Sequence, residues 1–222
     1  MTGADPGKHY PALPRSFFAR PTEVVARELL GALLVRHAPA GLTVGRIVET
    51  EAYGSQEDRA SHARAGLTRR TAPMFGRPGQ AYVYLVYGLH NCLNVVAHDE
   101  SADAGAVLLR AVEPLEGVEL MMSRRGAVRG AVSNLRRAQL AAGPALVCQA
   151  MAIDRGLAGA DLTTGRTLWL AAGPAVETDI VAGPRVGVDY AGPGWADRAW
   201  RFGIADHPAL SRPFGGTATV SS

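Results

Sequence analysis

Residues 33–52, LLVRHAPAGLTVGRIVETEA, contain two largely apolar runs separated by residues that favour a turn. Leu33–His37 and Leu42–Ala52 have the apolar and β-branched content of strands, and Pro39–Gly41 lies between them. The segment therefore predicts an antiparallel hairpin.

The rest of the chain adds further strands first and several helices after them. Strands are predicted at Tyr82–Val86, Cys92–Ala97, Ala106–Val112 and Thr167–Ala171, the first two forming a hairpin with Gly88 near its tip. Helices are predicted from Thr22 onward and at Pro114–Arg125, Leu135–Ala142 and Pro144–Ile153. Because hairpins precede helices instead of alternating with them, the pattern favours an α+β fold over a doubly wound parallel sheet.

The length of 222 residues suits one large domain or two small ones, and no internal repeat or long linker divides the chain. A content of 47% hydrophobic and 19% charged residues is ordinary for a globular protein and argues against disorder. We predict a loose lead-in at residues 1–16, one domain over 17–214, and a frayed tail at 215–222.

Several functional classes are excluded by what the sequence lacks. The two cysteines, Cys92 and Cys148, are too few for a disulfide scaffold or a cysteine-rich zinc site. No phosphate-binding P-loop and no histidine pair with zinc spacing occurs, so neither metal nor nucleotide cofactor is expected. The lack of a long apolar run predicts no membrane span and a cytoplasmic protein.

Positive charge is concentrated in two zones that contain no Asp or Glu, residues 59–98 and 120–153. Each zone carries five arginines, which could face phosphates or simply solvate helix faces. Of the 23 basic residues, 22 are arginine, and the single lysine is Lys8. Any chemistry that needs a lysine amine within the domain therefore has no residue to supply it.

Residues Arg46–Tyr53, RIVETEAY, form an unusual end to a strand. Strict alternation places Ile47, Glu49, Glu51 and Tyr53 on one face. Two carboxylates and a phenol are costly to bury without a purpose. The segment is either an exposed strand face or a general base beside an aromatic platform.

Residues Tyr82–Asn94, YVYLVYGLHNCLN, form the second unusual segment. Tyr82 and Tyr84 share a strand face, which is often only cross-strand packing. Tyr87 falls near the hairpin tip, where it could wedge between bases. If Tyr53 and His62 lie near Tyr84, the three rings could enclose a flat ligand.

These segments together resemble the 3-methyladenine DNA glycosylases of the alkyladenine type, and the chain is similar to a bacterial-type member. The resemblance runs in order from about Phe17 to Phe202. Besides the two segments above, it rests on Met74-Phe75, LLRAVEPLEG at 108–117, GPALVCQAMAI at 143–153 and RVGV at 185–188. It implies one compact domain with a curved antiparallel sheet surrounded by helices, acting without metal or cofactor. We expect a monomer, because nicking of the abasic product needs another enzyme but no stable complex.

The resemblance also implies an activity, in which a damaged purine is flipped out of duplex DNA and its N-glycosidic bond is hydrolysed. Glu51 matches the general base, and Arg110 and the backbone carbonyl of Val186 match the groups that hold the attacking water. The implied base pocket consists of Tyr53, His62, Tyr84 and Asn94, the last crowding the exocyclic amino group of guanine. Tyr87 matches the residue that fills the vacated place in the duplex.

Two further expectations concern the arginines and one departure from the family pattern. From the acid-free zones, the candidate contacts to the DNA backbone are Arg69, Arg70, Arg124, Arg125 and Arg137. Thr71 stands where the family commonly has an asparagine, which puts in doubt any hydrogen bond made by that amide. Because a lyase step normally needs an amine, we predict a monofunctional enzyme that leaves an abasic site.

Two alternatives stay open from the sequence. A catalytically silent nucleic-acid-binding module could use the same fold, although a carboxylate at Glu51 is of no use in binding an anion. A hydrolase of free nucleosides could use the same pocket, although the basic zones and Tyr87 favour a DNA polymer as substrate.

Overall fold

The computed structural model describes residues 6–129, 136–215 and 218–220. Within these residues lie five α-helices, namely α1 Pro6–His9, α2 Arg15–Phe18, α3 Thr22–Glu28, α4 Val118–Arg129 and α5 Pro144–Met151. Nine strands are β1 Leu33–Ala38, β2 Gly41–Tyr53, β3 Ala81–Val86, β4 His90–Val96, β5 Ala106–Glu116, β6 Leu168–Ala171, β7 Ile180–Gly183, β8 Arg201–Ile204 and β9 Ala218–Val220. Short 3₁₀ turns occupy several connections, including His62–Ala65 and Ala72–Phe75.

The nine strands form one curled antiparallel sheet, in which seven follow the order β3-β4-β5-β2-β8-β7-β9. Strands β1 and β6 extend it from the first half of β2, because β1 pairs with both β2 and β6. The long strand β2 thus pairs with β1 near its start and with β8 near its end. This confirms the predicted α+β domain with an antiparallel sheet.

The main core fills the space between the sheet and helices α3, α4 and α5. Apolar side chains from both layers are fully buried there, including Leu29, Leu93, Leu109, Met121 and Met151. Burial of each such side chain contributes about 1.5–3 kcal/mol to folding. With one face of the sheet covered by helices, the other face is available for polar side chains.

Three register shifts interrupt the pairing of β2 with β5, and the one at Val48 determines which of the neighbouring residues reach that second face. Ile47 pairs with Val112 but Glu49 pairs with Ala111, so Val48 is an extra residue on β2. A bulge breaks the alternation of side chains, and both Ile47 and Val48 enter the main core. The prediction that Ile47 shares a strand face with Glu49 and Glu51 is therefore wrong.

The helix predicted from Pro114 begins later than expected. Strand β5 continues to Glu116, and α4 begins at Val118, directly after Gly117 with φ = +67°. A Cβ on Gly117 would lie 2.3 Å from the Leu42 carbonyl oxygen, so the turn between strand and helix requires glycine. Of the helix predicted at 135–142, residue 135 lies outside the described residues, and the described part contains only a 3₁₀ turn at Arg137–Gln139.

Both ends of the described chain contact the sheet. The Tyr10 carbonyl accepts a hydrogen bond from Trp169 Nε1 at 2.7 Å, and Ala12 bridges to Ala171 of β6. Strand β9 pairs with β7 inside the expected tail. The boundaries at residues 17 and 214 stay predictions.

Candidate active site

One row of buried side chains crosses the face of the sheet opposite the helices. In register, Tyr82 pairs with Asn94, Asn94 pairs with Leu108, and Leu108 pairs with Glu51. Directly paired residues on neighbouring antiparallel strands point to the same face about 5 Å apart. Residues separated by up to 57 positions in the sequence are thereby aligned across four strands.

Glu51 is fully buried and accepts hydrogen bonds through both of its carboxylate oxygens. The Val186 amide donates to Oε1 at 2.7 Å, and Arg110 Nη1 lies 3.2 Å from the same oxygen. The Tyr53 hydroxyl donates to Oε2 at 2.8 Å. A carboxylate with an arginine, a phenol and an amide around it is held in a fixed orientation.

Tyr53 and Arg110, two partners of Glu51, both keep the protons that they need to act as donors. Burial, followed by the neighbouring Glu51 charge, raises the pKa of Tyr53 well above its ordinary value, so the phenol remains a donor. Burial alone would lower the pKa of Arg110, but Glu51 and Glu49 outweigh it and raise that pKa. Arg110 is therefore a permanent cation beside Glu51.

A cavity of about 520 Å³ is lined by the three partners of Glu51, namely Tyr53, Arg110 and Val186, and by several further aromatic side chains. Glu51 lies behind these partners and does not itself line the cavity. Tyr53, His62, Tyr84 and Asn94, the four residues predicted for a base pocket, all line it. The His62 and Tyr84 ring centroids are 4.7 Å apart in an edge-to-face arrangement. A flat, electron-poor ring fits such walls through stacking and cation–π attraction.

Two aromatic residues of the cavity, Tyr82 and Tyr190, were not predicted to belong to the pocket. The Tyr82 ring lies 5.2 Å from Tyr84 and its hydroxyl is 3.1 Å from His62 Nδ1, so Tyr82 holds the imidazole in place. Tyr190, from a separate loop, also lines the cavity and donates to the Ala60 carbonyl at 3.0 Å. The shared face of Tyr82 and Tyr84 indicated the first, and no feature of the sequence indicated the second.

Burial and the positive charge of Arg70 lower the pKa of His62 below its ordinary value. We expect an NMR titration of the imidazole to give a pKa below about 6.5. Because the Arg70 charge is the second cause and burial the first, Arg70→Ala should raise the pKa of His62 without restoring it fully. A value unchanged by Arg70→Ala would contradict the charge effect.

The tip of the β3–β4 hairpin exposes apolar side chains to solvent. Tyr87 is 92% exposed and Leu89 is 77% exposed. Tyr87 also has φ = +51°, a left-handed conformation that costs a residue other than Gly or Asn roughly 1 kcal/mol. An exposed aromatic ring in a strained turn at the mouth of a cavity is a feature of binding sites rather than of stable folds.

A buried ion pair supports the wall of the cavity. Arg185 is buried and forms hydrogen bonds with both carboxylate oxygens of Asp58, at 2.6 and 2.9 Å. Its guanidinium lies 4.9 Å from the Tyr53 ring centroid and 5.1 Å from that of Trp200. This pair fixes the start of the segment that carries Val186 to Glu51.

Three of the predicted DNA-backbone arginines are exposed. Arg69 and Arg70 lie in the loop before Ala72, and Arg70 also lines the cavity. Arg137 donates two hydrogen bonds to the Pro114 carbonyl, from Nε at 3.0 Å and from Nη2 at 2.7 Å. All three guanidinium groups lie where an anionic polymer could reach them.

The other two arginines make contacts inside the protein. Arg125 is only 1% exposed and donates from Nη1 to the Gln149 side chain. Arg124 is half-buried and donates to the Ala150 carbonyl at 2.9 Å. Both arginines join α4 to α5, and we do not retain Arg125 as a contact to phosphate.

Thr71 closes its own loop. Its hydroxyl donates to the Gly66 carbonyl at 2.7 Å and accepts from the Thr68 amide at 2.8 Å. Thr71 does not line the cavity beside Glu51, although it borders a shallower cavity with Arg59 and Arg64. The replacement of the usual asparagine therefore affects the loop that carries Arg69 and Arg70.

Across the helices described, none is long and apolar enough to cross a bilayer. In the same part of the chain, no cluster of three or more His, Cys, Asp or Glu side chains is placed to hold a metal ion.

Comparison with known proteins assigns the class. The model of the family described as methylpurine-DNA glycosylase matches residues 16–208. The human DNA-3-methyladenine glycosylase is 41% identical over 214 residues, which cover 94% of this chain and 70% of the human one. The mouse DNA-3-methyladenine glycosylase is 42% identical over 216 residues, which cover 94% of this chain and 63% of the mouse one.

A relative from Methanocella arvoryzae is 50% identical over 202 residues, or 91% of this chain and 96% of the relative. The chain belongs to the methylpurine-DNA glycosylase family. It is thus a DNA-repair hydrolase that acts on N-glycosyl bonds.

Proposed function

We propose that the chain flips alkylated or deaminated purines out of duplex DNA and hydrolyses their N-glycosidic bond with a water molecule activated by Glu51. The observation that carries this proposal is the buried Glu51 carboxylate, held by three donors at the edge of an aromatic cavity. A binding module for an anionic polymer gains nothing from burying a carboxylate there.

In the proposed mechanism, Glu51 accepts a proton from the attacking water as the glycosidic bond breaks. Bond breaking gives the sugar oxocarbenium character, and the nearby carboxylate stabilises that charge as well. Arg110 and the Val186 carbonyl would orient the water. The short contact of the Val186 amide with Glu51 supports this role, because it holds the same peptide segment against the base.

The cavity would select an electron-poor purine. Tyr53, His62 and Tyr84 line it, and the lowered pKa of His62 favours a neutral imidazole that does not repel a cationic base. Cation–π attraction is worth about 0.5–2 kcal/mol at such a site. Asn94, fixed by donating to the Tyr82 carbonyl at 3.1 Å, would crowd the exocyclic amino group of guanine.

Tyr87 would enter the duplex and replace the flipped nucleotide in the base stack. Its 92% exposure leaves the ring free to do so, and flipping itself costs a few kcal/mol. Arg69, Arg70 and Arg137, and at the margin Arg124, would hold phosphates nearby and contribute the salt dependence of binding.

The Tyr87→Asn variant tests this role without disturbing the turn, because asparagine tolerates the left-handed conformation of residue 87. We expect unchanged thermal stability and a kcat/KM on duplex DNA lowered about 10- to 100-fold through the loss of the inserted ring. On single-stranded DNA, where no stack is opened, the variant should match the wild type. Equal rates on duplex DNA would contradict insertion of Tyr87.

The enzyme is proposed to be monofunctional. A lyase step proceeds through a Schiff base with an amine, and Lys8, the single lysine, lies on α1 and does not line the cavity. Reaction with a damaged duplex in the presence of borohydride should therefore trap no covalent adduct. A trapped adduct would contradict hydrolysis as the only reaction.

The function is tested with labelled duplexes that carry one hypoxanthine or one ethenoadenine, and with alkylated genomic DNA. We expect release of the free base and alkali-labile strand breaks, with rates that fall steeply as salt rises. Tight binding without release would favour the silent binding module. Release from free nucleosides at the same efficiency, insensitive to salt, would favour the nucleoside hydrolase.

The remaining parts of the proposal concern context. We propose a monomer with a catalytic domain over about 17–214, acting in the cytoplasm on nucleoid DNA without metal or cofactor. Size-exclusion chromatography with light scattering, carried out with and without a damaged duplex, measures the oligomeric state.

A further inference from the structure

Glu49 lies two residues before Glu51 on β2 and is fully buried. Its Oε1 accepts from Arg110 Nε at 2.9 Å and from Arg201 Nε at 2.7 Å. Ser211 donates to both oxygens of Glu49, from Oγ to Oε1 at 2.8 Å and from the backbone amide to Oε2 at 2.6 Å. The carboxylate thus has four donors from three separate parts of the chain.

Within the described residues, Arg110 is the only side chain that contacts both Glu49 and Glu51. It bonds to Glu49 through Nε and presents Nη1 to Glu51, 3.2 Å from Oε1. It also lines the cavity, whereas Glu49 does not. Ser211 accepts from Arg110 Nη2 at 3.1 Å, so the guanidinium is held on the side opposite its contact with Glu51.

The four charged groups are balanced, with two carboxylates, Glu49 and Glu51, and two guanidiniums, Arg110 and Arg201. Removing a single buried charge from such a set leaves its partner uncompensated. If Glu49 loses its charge, Arg110 has one carboxylate left, which is Glu51. The charge on Glu49 therefore determines how strongly the Arg110 guanidinium attracts the Glu51 carboxylate.

We propose that Glu49 is a positioning residue for base excision: it orients Arg110 and shares its charge, so that Glu51 remains basic enough to activate water. This inference rests on the proposed function. Glu49 acts through Arg110 and does not touch the substrate.

The charged and titratable groups around Glu51 come from every neighbouring strand. Tyr53 shares its strand, Arg110 lies on β5, and Arg201 pairs with it from β8. Tyr84 and Cys92 on β3 and β4 interact with its charge, and burial raises the pKa of both of these groups above their ordinary values. These two groups stay neutral. The charged groups that contact Glu49 directly are therefore Arg110 and Arg201.

The test is the pH profile of single-turnover base release for Glu49→Gln, which keeps the shape of the side chain and removes its charge. We expect release slowed about tenfold or more and the acidic limb moved about one pH unit lower, because loss of a neighbouring negative charge makes protonation of Glu51 harder. A destabilised enzyme would instead lose activity sooner in acid, which moves the limb higher.

Two further variants accompany it. Ser211→Ala removes one hydroxyl from Glu49 and Arg110 and is mild enough to fold, so it should give a smaller shift in the same direction. Glu113→Gln removes a carboxylate that pairs with Arg46 on the same two strands, at 2.6 Å and away from Glu51. Its pH profile should match that of the wild type.

The outcomes are distinct. If the wild type releases base and Glu49→Gln and Ser211→Ala keep its pH profile, the positioning role is wrong while the proposed function stands. If Glu49→Gln fails to fold, the pH profile of Ser211→Ala tests the positioning role instead: a shift to lower pH supports it and an unchanged profile contradicts it. If the wild type releases no base, the proposed function and this inference both fail.

Discussion

The Glu51→Gln variant is expected to bind a damaged duplex as tightly as the wild type and to release base about 10²- to 10⁴-fold more slowly. Glutamine fills the same volume but cannot take a proton from water or stabilise an oxocarbenium-like sugar as an anion does. The amide oxygen can still accept from Val186 or Tyr53, which donate at 2.7 and 2.8 Å in the wild type, so the pocket should persist. Single-turnover release and equilibrium binding measure the two quantities separately.

Two controls make this result specific. Glu113→Gln, the same substitution on a neighbouring strand and outside the cavity, should release base at the wild-type rate. Thermal unfolding of Glu51→Gln shows whether the variant is folded. Release by a folded Glu51→Gln variant within about threefold of the wild type would assign the general base elsewhere, since proton transfer by a positioned base contributes much more than that.

The largest expected effect on stability comes from Asp58→Asn. Asp58 bonds to Arg185 through both carboxylate oxygens, and both side chains are fully buried. Removing its charge leaves the guanidinium buried and uncompensated, which costs about 3–5 kcal/mol of the free energy of unfolding. For a chain of this size the melting temperature should fall by roughly 6–20 °C, measured by calorimetry or circular dichroism.

The matched comparison is an ion pair at the surface. Arg20 and Glu28 lie 2.8 Å apart, with side chains 32% and 49% exposed. Glu28→Gln should cost no more than about 1 kcal/mol, because solvent screens such pairs. Equal losses from Asp58→Asn and Glu28→Gln would mean that the buried pair contributes little to folding.

The sheet could be predicted from the sequence because strand alternation and turn residues are local properties. Leu33–His37 and Leu42–Ala52 were predicted as a hairpin and occur as β1 and β2. The bulge at Val48 could not be predicted, since it depends on how β2 pairs with β5, sixty residues away. Pro114 was taken as the start of a helix, but it occupies the end of β5, where the sheet still supplies backbone partners.

The aromatic part of the site was predicted from residue types and from the resemblance, and the cavity contains all four expected residues. Beyond Glu51 and Arg110, the buried ionic contacts were not predicted. Asp58 and Arg185 are 127 positions apart, and Ser211 is 162 positions from Glu49. Contacts over such separations follow from the tertiary fold and leave no periodic pattern in the sequence.

Arg125 illustrates the limit of an argument from charge. It belongs to an acid-free zone, and a cluster of arginines suggested contact with phosphate. In the structure it lies between α4 and α5 and bonds to Gln149, because a long side chain can bury its stem and satisfy its guanidinium inside the protein. Charge counts alone do not distinguish this arrangement from an exposed one.

The placement of the chain's few nucleophilic side chains has a practical consequence for conjugation chemistry. Lys8 is exposed on α1, whereas both thiols, Cys92 and Cys148, are buried. Amine-reactive dyes or tethers are thus directed to the first residues of the chain, beside β6, and maleimides find no accessible thiol. Molecules immobilised in this way would share one orientation, with the Tyr87 hairpin unmodified for single-molecule observation on DNA.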